Sequence, residues 1–296
     1  MKMEDQVSAT KVAFVGLGAM GLPMAGHLVA AGFDVNGFDL SQEALARFSS
    51  AGGNACAEMA STFQDADIVI TMLPNGKIVR DALLSGDNWR SLKKNALVID
   101  MSSSAPADTR RLDAELAEKG IRLVDAPVSG GTRRAISATL AIMVGGKADD
   151  VEQAETILRA IGDKVFRTGP IGSGHAMKAI NNYVSGAGVV ATIEGVLLGE
   201  KFGLDPNVIV DILNASSGRS NTSEIKMKQF VLSETFNSGF ALGLMAKDIR
   251  IASDLASELG MSLKSLLSTV ETWEQANKAL GGNADHTEMI KFLKTR

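Results

Sequence analysis

Three glycines, Gly16, Gly18 and Gly21, stand in G-x-G-x-x-G spacing between an apolar run over residues 11–17 (K-V-A-F-V-G-L) and a helical pattern over residues 22–31. That context leaves few folds open. The first glycine permits a tight turn, the second lets backbone approach a pyrophosphate, and the third lets the helix pack on the strand. The helix N-terminus then faces the phosphates. Pro23 fits the first helical turn, where no intrahelical N–H is needed. Gly16, Leu17, Gly18, Ala19, Met20 and Gly21 are therefore read as a cofactor-binding turn. A second strand, residues 34–38, ends at Asp39. An acidic residue about 20 positions past the glycines bonds ribose hydroxyls and repels a 2′-phosphate, so Asp39 argues for NAD over NADP. The other reading is local: Asp-Leu-Ser also opens a turn and caps a helix.

The alternation continues. Strands are expected over residues 67–73, 96–100, 122–126, 139–144 and 164–168, with helices between most of them, such as 107–119 and 151–161. Strands alternating with helices imply a Rossmann-like, doubly wound, mostly parallel sheet. Ligands of such sheets sit beyond the carboxyl ends of the strands. Leu73-Pro74, Ser103 and Ser129-Gly130-Gly131 all fall at strand ends. One cleft could collect them, or they are turns for local reasons, since Pro, Ser and Gly dominate turns.

After Gly174 the strand pattern stops. The stretch from Gly172 to Gly203 reads as one long helix joining two domains, with Lys178, Asn181 and Asn182 near its start. Residues at i and i+4 share a helix face, so Lys178 and Asn182 point the same way with Asn181 beside them. Helices are expected next over 206–215, 221–232, 242–259, 263–280 and 287–293, stopped by Gly203, Gly218, Gly260 and Gly281-Gly282. The small residues of the long helix, Gly186, Ala187, Gly188, Ala191 and Gly195, suit either dimerisation or close packing inside the subunit. Lys247 and Asp248 read as an exposed pair on a helix; otherwise Lys247 contacts cofactor or substrate and Asp248 orients a lysine. The expected plan is a loose tail over 1–10, an NAD-binding domain over 11–173, and an all-α substrate and dimerisation domain over 174–296.

Composition excludes several classes. Net charge is −4, so no bulk electrostatic case exists for nucleic acid or anionic membrane. No run of about 18 apolar residues appears, and the first ten residues lack the apolar region of a signal peptide. Cys56, the only cysteine, excludes a disulfide framework and fits a reducing cytoplasm. His27, His175 and His286 lack metal-ligand spacing, so no metal is expected; His175, three residues before Lys178, is expected to be a solvated residue at a helix start, or otherwise to line the mouth of the cleft.

Four motifs in order resemble the β-hydroxyacid dehydrogenase family, which includes 3-hydroxyisobutyrate dehydrogenase and tartronate semialdehyde reductase. They are G-L-G-A-M-G-L-P-M-A from Gly16, D-A-P-V-S-G-G over 125–131, G-S-G-H-A-M-K-A-I-N-N over 172–182 and M-A-K-D over 245–248. The resemblance implies NAD-dependent hydride transfer to or from a short 3-hydroxy acid, a small-molecule substrate, and a homodimer or homotetramer. It implies Lys178 as the catalytic acid/base. Asn182 and Asn181 would hold substrate, and Ser129, Gly130 and Gly131 would receive its carboxylate. Leu73, Pro74 and Ser103 would lie along the cofactor, and Lys247 would close over it. A base must be neutral, so burial and a nearby helix N-terminus are expected to favour deprotonation of Lys178.

Two departures from the family pattern, Arg133-Arg134 and Ala138 in place of a glycine, bear on the substrate. The arginines either pair with a second anionic group or point into solvent. Two other functions remain as alternatives. One is a 6-phosphogluconate dehydrogenase-like decarboxylase, from which this chain departs in length and in its Asn-Asn after the lysine. The other is a non-catalytic dinucleotide-binding module.

Overall fold

A computed structural model describes residues 10–295; apart from Thr10, the tail expected over 1–10 lies outside the described residues. The chain divides into two compact units, with the division between Lys178 and Ala179.

The first unit holds β1 (Lys11–Val15), β2 (Asp34–Phe38), β3 (Asn54–Ala55), β4 (Ile68–Thr71), β5 (Leu97–Asp100), β6 (Arg122–Asp125), β7 (Val128–Ser129), β8 (Ala141–Gly145) and β9 (Lys164–Gly169). The first six are parallel in the order β3-β2-β1-β4-β5-β6. This is the doubly wound order, in which the chain reverses direction beside β1. β8 then pairs antiparallel with β6 and with β7, and β9 adds parallel to β8. The short strands β3 and β7 have too few residues to show any alternation, so the sequence pattern did not announce them.

Its helices are α1 (Gly21–Ala30), α2 (Gln42–Ser50), α3 (Met59–Phe63), α4 (Gly76–Leu84), α5 (Pro106–Ala117), α6 (Gly131–Ile136) and α7 (Ala148–Leu158). Both faces of the sheet are buried because successive side chains point to opposite sides. Val12, Phe14, Ile70, Ile99 and Val124 join one core with Leu28, Phe48 and Ile157. Ala13, Val15, Val69, Val98 and Leu123 join the other with Phe63, Leu83 and Leu116. Each fully buried large side chain contributes about 1.5–3 kcal/mol, so the two cores hold the carboxyl ends of the strands rigidly in line. Ala138 adopts a positive φ of 53°. This left-handed conformation suits glycine and costs a side chain roughly 1–2 kcal/mol.

α8 (Ser173–Phe202) runs through the division. The second unit continues with α9 (Pro206–Ala215), a π-helical segment (Thr222–Val231), α10 (Leu242–Glu258), α11 (Lys264–Leu280) and α12 (Met289–Leu293). Asp205 caps α9 by accepting from Asn207 N–H at 2.7 Å, with Pro206 in the first turn. Ile193, Val196, Val210, Met227, Ile249, Val270 and Trp273 form the core of this unit. The small residues of α8 are used in part inside the unit. A Cβ on Gly186 would sit 2.5 Å from Ile249 Cδ1, and Trp273 Nε1 donates to the Gly186 carbonyl at 3.2 Å. Gly195 faces open space. No helix among the described residues is long and apolar enough to cross a membrane.

Candidate active site

In the first unit, the glycine turn follows β1 directly. Gly16 has φ +99°, and a Cβ there would lie 2.3 Å from the Met72 carbonyl oxygen. A Cβ on Gly21 would lie 1.8 Å from the Gly16 oxygen. Both glycines are therefore required by the protein itself. Gly18 is different: a Cβ there meets nothing within 4 Å. The space over Gly18 is open, and Gly18 and Ala19 are exposed, as a turn that receives a pyrophosphate must be. These residues fit a dinucleotide. Leu17 serves the turn from beneath, with its side chain buried and its N–H donated to Asp39 Oδ2 at 2.7 Å. Asp39 Oδ1 accepts from Ser41 N–H at 2.8 Å, and Ser41, not Asp39, caps α2. Asp39 thus ties the glycine turn to the end of β2.

Gly18→Ala and Gly21→Ala should separate the two roles. Gly21→Ala is expected to lose about 3 kcal/mol or more of stability, because a backbone oxygen cannot move aside. Gly18→Ala is expected to melt like wild type and to raise the KM for the dinucleotide about tenfold. Thermal melts beside cofactor titrations check both; equal melting losses would refute the distinction.

At the next strand ends, Asp100 and Asp125 are register partners on β5 and β6, and both are buried. Two adjacent buried carboxylates need donors. Asp100 Oδ1 accepts from Thr71 Oγ1 at 2.9 Å and Ser102 N–H at 3.0 Å, and Oδ2 accepts from Ser104 Oγ at 2.9 Å. Leu73 N–H donates to Ser102 Oγ at 2.9 Å. Asp100 thereby holds the Ser102–Ser104 turn with half-buried Ser103 at its centre, next to Leu73 and exposed Pro74.

Asp125 does the same for the start of α8. Its Oδ1 accepts from Gly172 N–H and its Oδ2 from His175 N–H, both at 2.7 Å. Burial pushes its carboxyl up, while His175 and the two N–H groups pull against that. Gly174 must lack a side chain, since a Cβ would lie 2.4 Å from the Met143 oxygen. The His175 ring is 1% exposed, not solvated as expected. Nε2 meets the Ser102 carbonyl at 3.1 Å and Nδ1 meets Thr109 Oγ1 at 2.8 Å. A carbonyl only accepts, so Nε2 carries a proton. The ring stands 3.7 Å from Asp100 and 3.6 Å from Asp125. Half-buried Lys178 follows three residues later on α8.

Ser129, Gly130 and Gly131 lead from β7 into α6, with positive φ at both glycines. Arg133 and Arg134 are exposed, and the Arg134 stem covers Gly130: a Cβ there would lie 2.4 Å from Arg134 Cδ. His27 on α1 meets the Ala135 and Ile136 carbonyls at 3.1 and 2.9 Å, so it steadies α6.

In the second unit, Asn181 Nδ2 donates to Asn182 Oδ1 at 3.0 Å, and Asn182 Nδ2 donates to Asp248 Oδ2 at 2.6 Å. Asp248 is 3% exposed. The reading of an exposed lysine–aspartate pair is therefore corrected for the aspartate, which orients the two amides. Lys247 Nζ lies 3.4 Å from Asp248 Oδ1.

The motifs contain Asp125 and Asp248, but spacing shows neither the hold of Asp125 on the start of α8 nor that of Asp248 on the amides, and no motif marks Asp100 or Thr109. One signal was available: aspartates closing two successive apolar strands are out of place in a buried sheet unless donors surround them.

Residues 11–169 match the family model of the NAD binding domain of 6-phosphogluconate dehydrogenase. Residues 172–293 match that of the NAD-binding region of NADP-dependent 3-hydroxyisobutyrate dehydrogenase. The chain is 37% identical over 283 residues to 2-(hydroxymethyl)glutarate dehydrogenase of Eubacterium barkeri, covering 95% of this chain and 94% of that protein. It is 35% identical over 285 residues to 3-sulfolactaldehyde reductase of Escherichia coli, covering 96% and 95%. Among solved structures, 3-hydroxyisobutyrate dehydrogenase of Mycobacterium tuberculosis with L-serine is similar at a TM-score of 0.89 and 31% identity, covering 96% of this chain and 99% of that one.

Proposed function

The chain belongs to the β-hydroxyacid dehydrogenase family, oxidoreductases of small hydroxy acids, and on that premise we propose an NAD-dependent oxidation of a short 3-hydroxy acid with Lys178 as acid/base. The observation that carries this reading is the seat of α8. Asp125 fixes the helix start through two 2.7 Å hydrogen bonds, and Lys178 stands just after it. The bound dinucleotide supplies the hydride acceptor. Lys178 takes the hydroxyl proton during oxidation and returns it to the carbonyl oxygen during reduction. Ser129, Gly130 and Gly131 receive the substrate carboxylate through the hydroxyl and backbone N–H groups. Asn182, held by Asn181 and Asp248, orients the substrate. Leu73, Pro74 and Ser103 line the cofactor, and Lys247 binds it. The relatives' names span 3-hydroxyisobutyrate, 2-(hydroxymethyl)glutarate and 3-sulfolactaldehyde, which supports a 3-hydroxy acid of this size.

NAD preference rests on Asp39. Its carboxylate is fixed by Leu17 and Ser41 where a 2′-phosphate would bring like charge. The test is dinucleotide reduction at pH 9 against a panel of short 2- and 3-hydroxy acids. One 3-hydroxy acid is expected to give strong turnover with NAD, with kcat/KM at least about tenfold above that with NADP. Asp39→Ser should shrink the cofactor ratio. Equal use of both cofactors by the wild type would overturn the preference.

We place the protein in the cytoplasm as a homodimer or homotetramer. Exposed Leu198, Phe202, Leu204, Val208 and Ile212 in the second unit support assembly.

A further inference from the structure

Among the described residues of the second unit, one half-buried cation, Lys226, has no counterion within ion-pair distance. Lys226 lies in the π-helical segment, and its ammonium meets Ser185 Oγ at 3.4 Å. Among the described residues no carboxylate stands within ion-pair distance of it. Asp285 is the opposing charge that acts on it from further away. That carboxylate is committed elsewhere: it accepts from Ser238 Oγ, Gly239 N–H, Thr287 N–H and Thr287 Oγ1. Burial pushes the Lys226 ammonium down to about 8, so near neutral pH it is still charged.

The surroundings supply no other compensation. His286 is held neutral, pushed down to about 4 by burial and by the Lys226 charge itself. Its Nδ1 meets Ser238 Oγ at 3.0 Å and the Phe240 carbonyl at 3.1 Å, while its buried Nε2 has no partner. Buried cations are normally paired, and a single π-helical stretch inside a helical domain is itself a feature concentrated at functional sites.

The position of Ser185 gives the cation a use. Ser185 follows Asn181 by four residues and Asn182 by three on α8, so all three share one face. The serine stands one turn beyond the amide assigned above to the substrate, about 4.5 Å along the helix axis.

We propose that Lys226 and Ser185 form an anion subsite that binds a second acidic group of the substrate, which makes the preferred substrates dianionic short hydroxy acids. This rests on the hydroxy-acid reading above. The ammonium receives the distal anion, the serine hydroxyl donates to it, and the π-helical turn points the lysine toward the face of α8 that carries the amides.

The test uses the full chain with NAD and matched acids: 3-hydroxy-2-methylpropanoate, and the same acid with its methyl group replaced by carboxymethyl or carboxyethyl. Wild type is expected to favour a dianion by at least about tenfold in kcat/KM, the scale of one charge-assisted hydrogen bond. Lys226→Met keeps the length of the stem and should bring that ratio to near one, chiefly through KM. Lys226→Arg should retain most of it. A dianion preference that survives Lys226→Met, or its absence in wild type, overturns the subsite. Calorimetry on the NAD-bound protein reads the subsite without turnover. Glutarate should bind more tightly than butyrate to wild type and equally to Lys226→Met, and equal binding to wild type overturns the proposal. Failure to turn over any of the acids would count against the hydroxy-acid reading, while the calorimetric comparison still decides the subsite.

Discussion

Lys178→Ala is expected to lower kcat for hydroxy-acid oxidation by about 10³-fold or more, at the upper part of the range for a positioned general acid/base. Cofactor affinity should stay within about twofold, since the glycine turn and Asp39 proposed to receive the dinucleotide are held together without the lysine. Lys178→Arg should fail almost as badly. A guanidinium keeps the charge but does not give up a proton in a protein. It can therefore polarise a carbonyl but cannot accept the hydroxyl proton. Steady-state rates of both variants, beside calorimetric NAD titrations, check this. Turnover by Lys178→Ala above a tenth of wild type would remove the lysine from the chemistry.

Asp125→Asn is the second large effect. The change preserves size but leaves one carbonyl oxygen where two carboxylate oxygens now accept from Gly172 and His175. One buried N–H would then face an amide NH₂. An unsatisfied buried donor costs about 1–3 kcal/mol. The His175 ring also loses one of the two carboxylates beside it. The first turn of α8 is expected to loosen, and Lys178 with it. Displacing a reacting group by a fraction of an ångström suffices to lower kcat about 10–100-fold. NAD affinity should change little. Asp125→Ala should be worse in both melting temperature and kcat, because the pocket then collapses or floods. If Asp125→Asn loses stability while the kcat of the folded fraction stays at the wild-type value, the carboxylate serves folding alone.

Much of the first unit is visible in one dimension because its determinants are local. A buried parallel strand needs a short apolar run, and β1, β4 and β5 have one each. The turn between β1 and α1 needs glycines at fixed offsets, and the offsets are printed in the chain. Helix α9 is announced by its cap and proline, Asp205-Pro206. The π-helical segment is not, since apolar spacing shows that a segment is helical without showing how the turns close. Strands β3 and β7 escape notice because each has two residues, below the length at which alternation means anything.

The candidate site divides along the same line. Gly16, Gly18, Gly21 and Asp39 could be named from spacing, and Lys178 with its amides from a helical face and a family motif. What holds them could not be. Asp125 reaches Gly172 and His175 across 47 and 50 residues, Asn182 reaches Asp248 across 66, and Lys226 reaches Ser185 across 41. Such pairings depend on which strand lies beside which and on how far each helix is turned about its axis, and neither is written in local periodicity. Residue types at fixed spacing decided which chemistry is available. The packing of remote segments decided which polar groups are buried and which find partners, because the cost of burying charge is set by surroundings that exist only once the chain has folded.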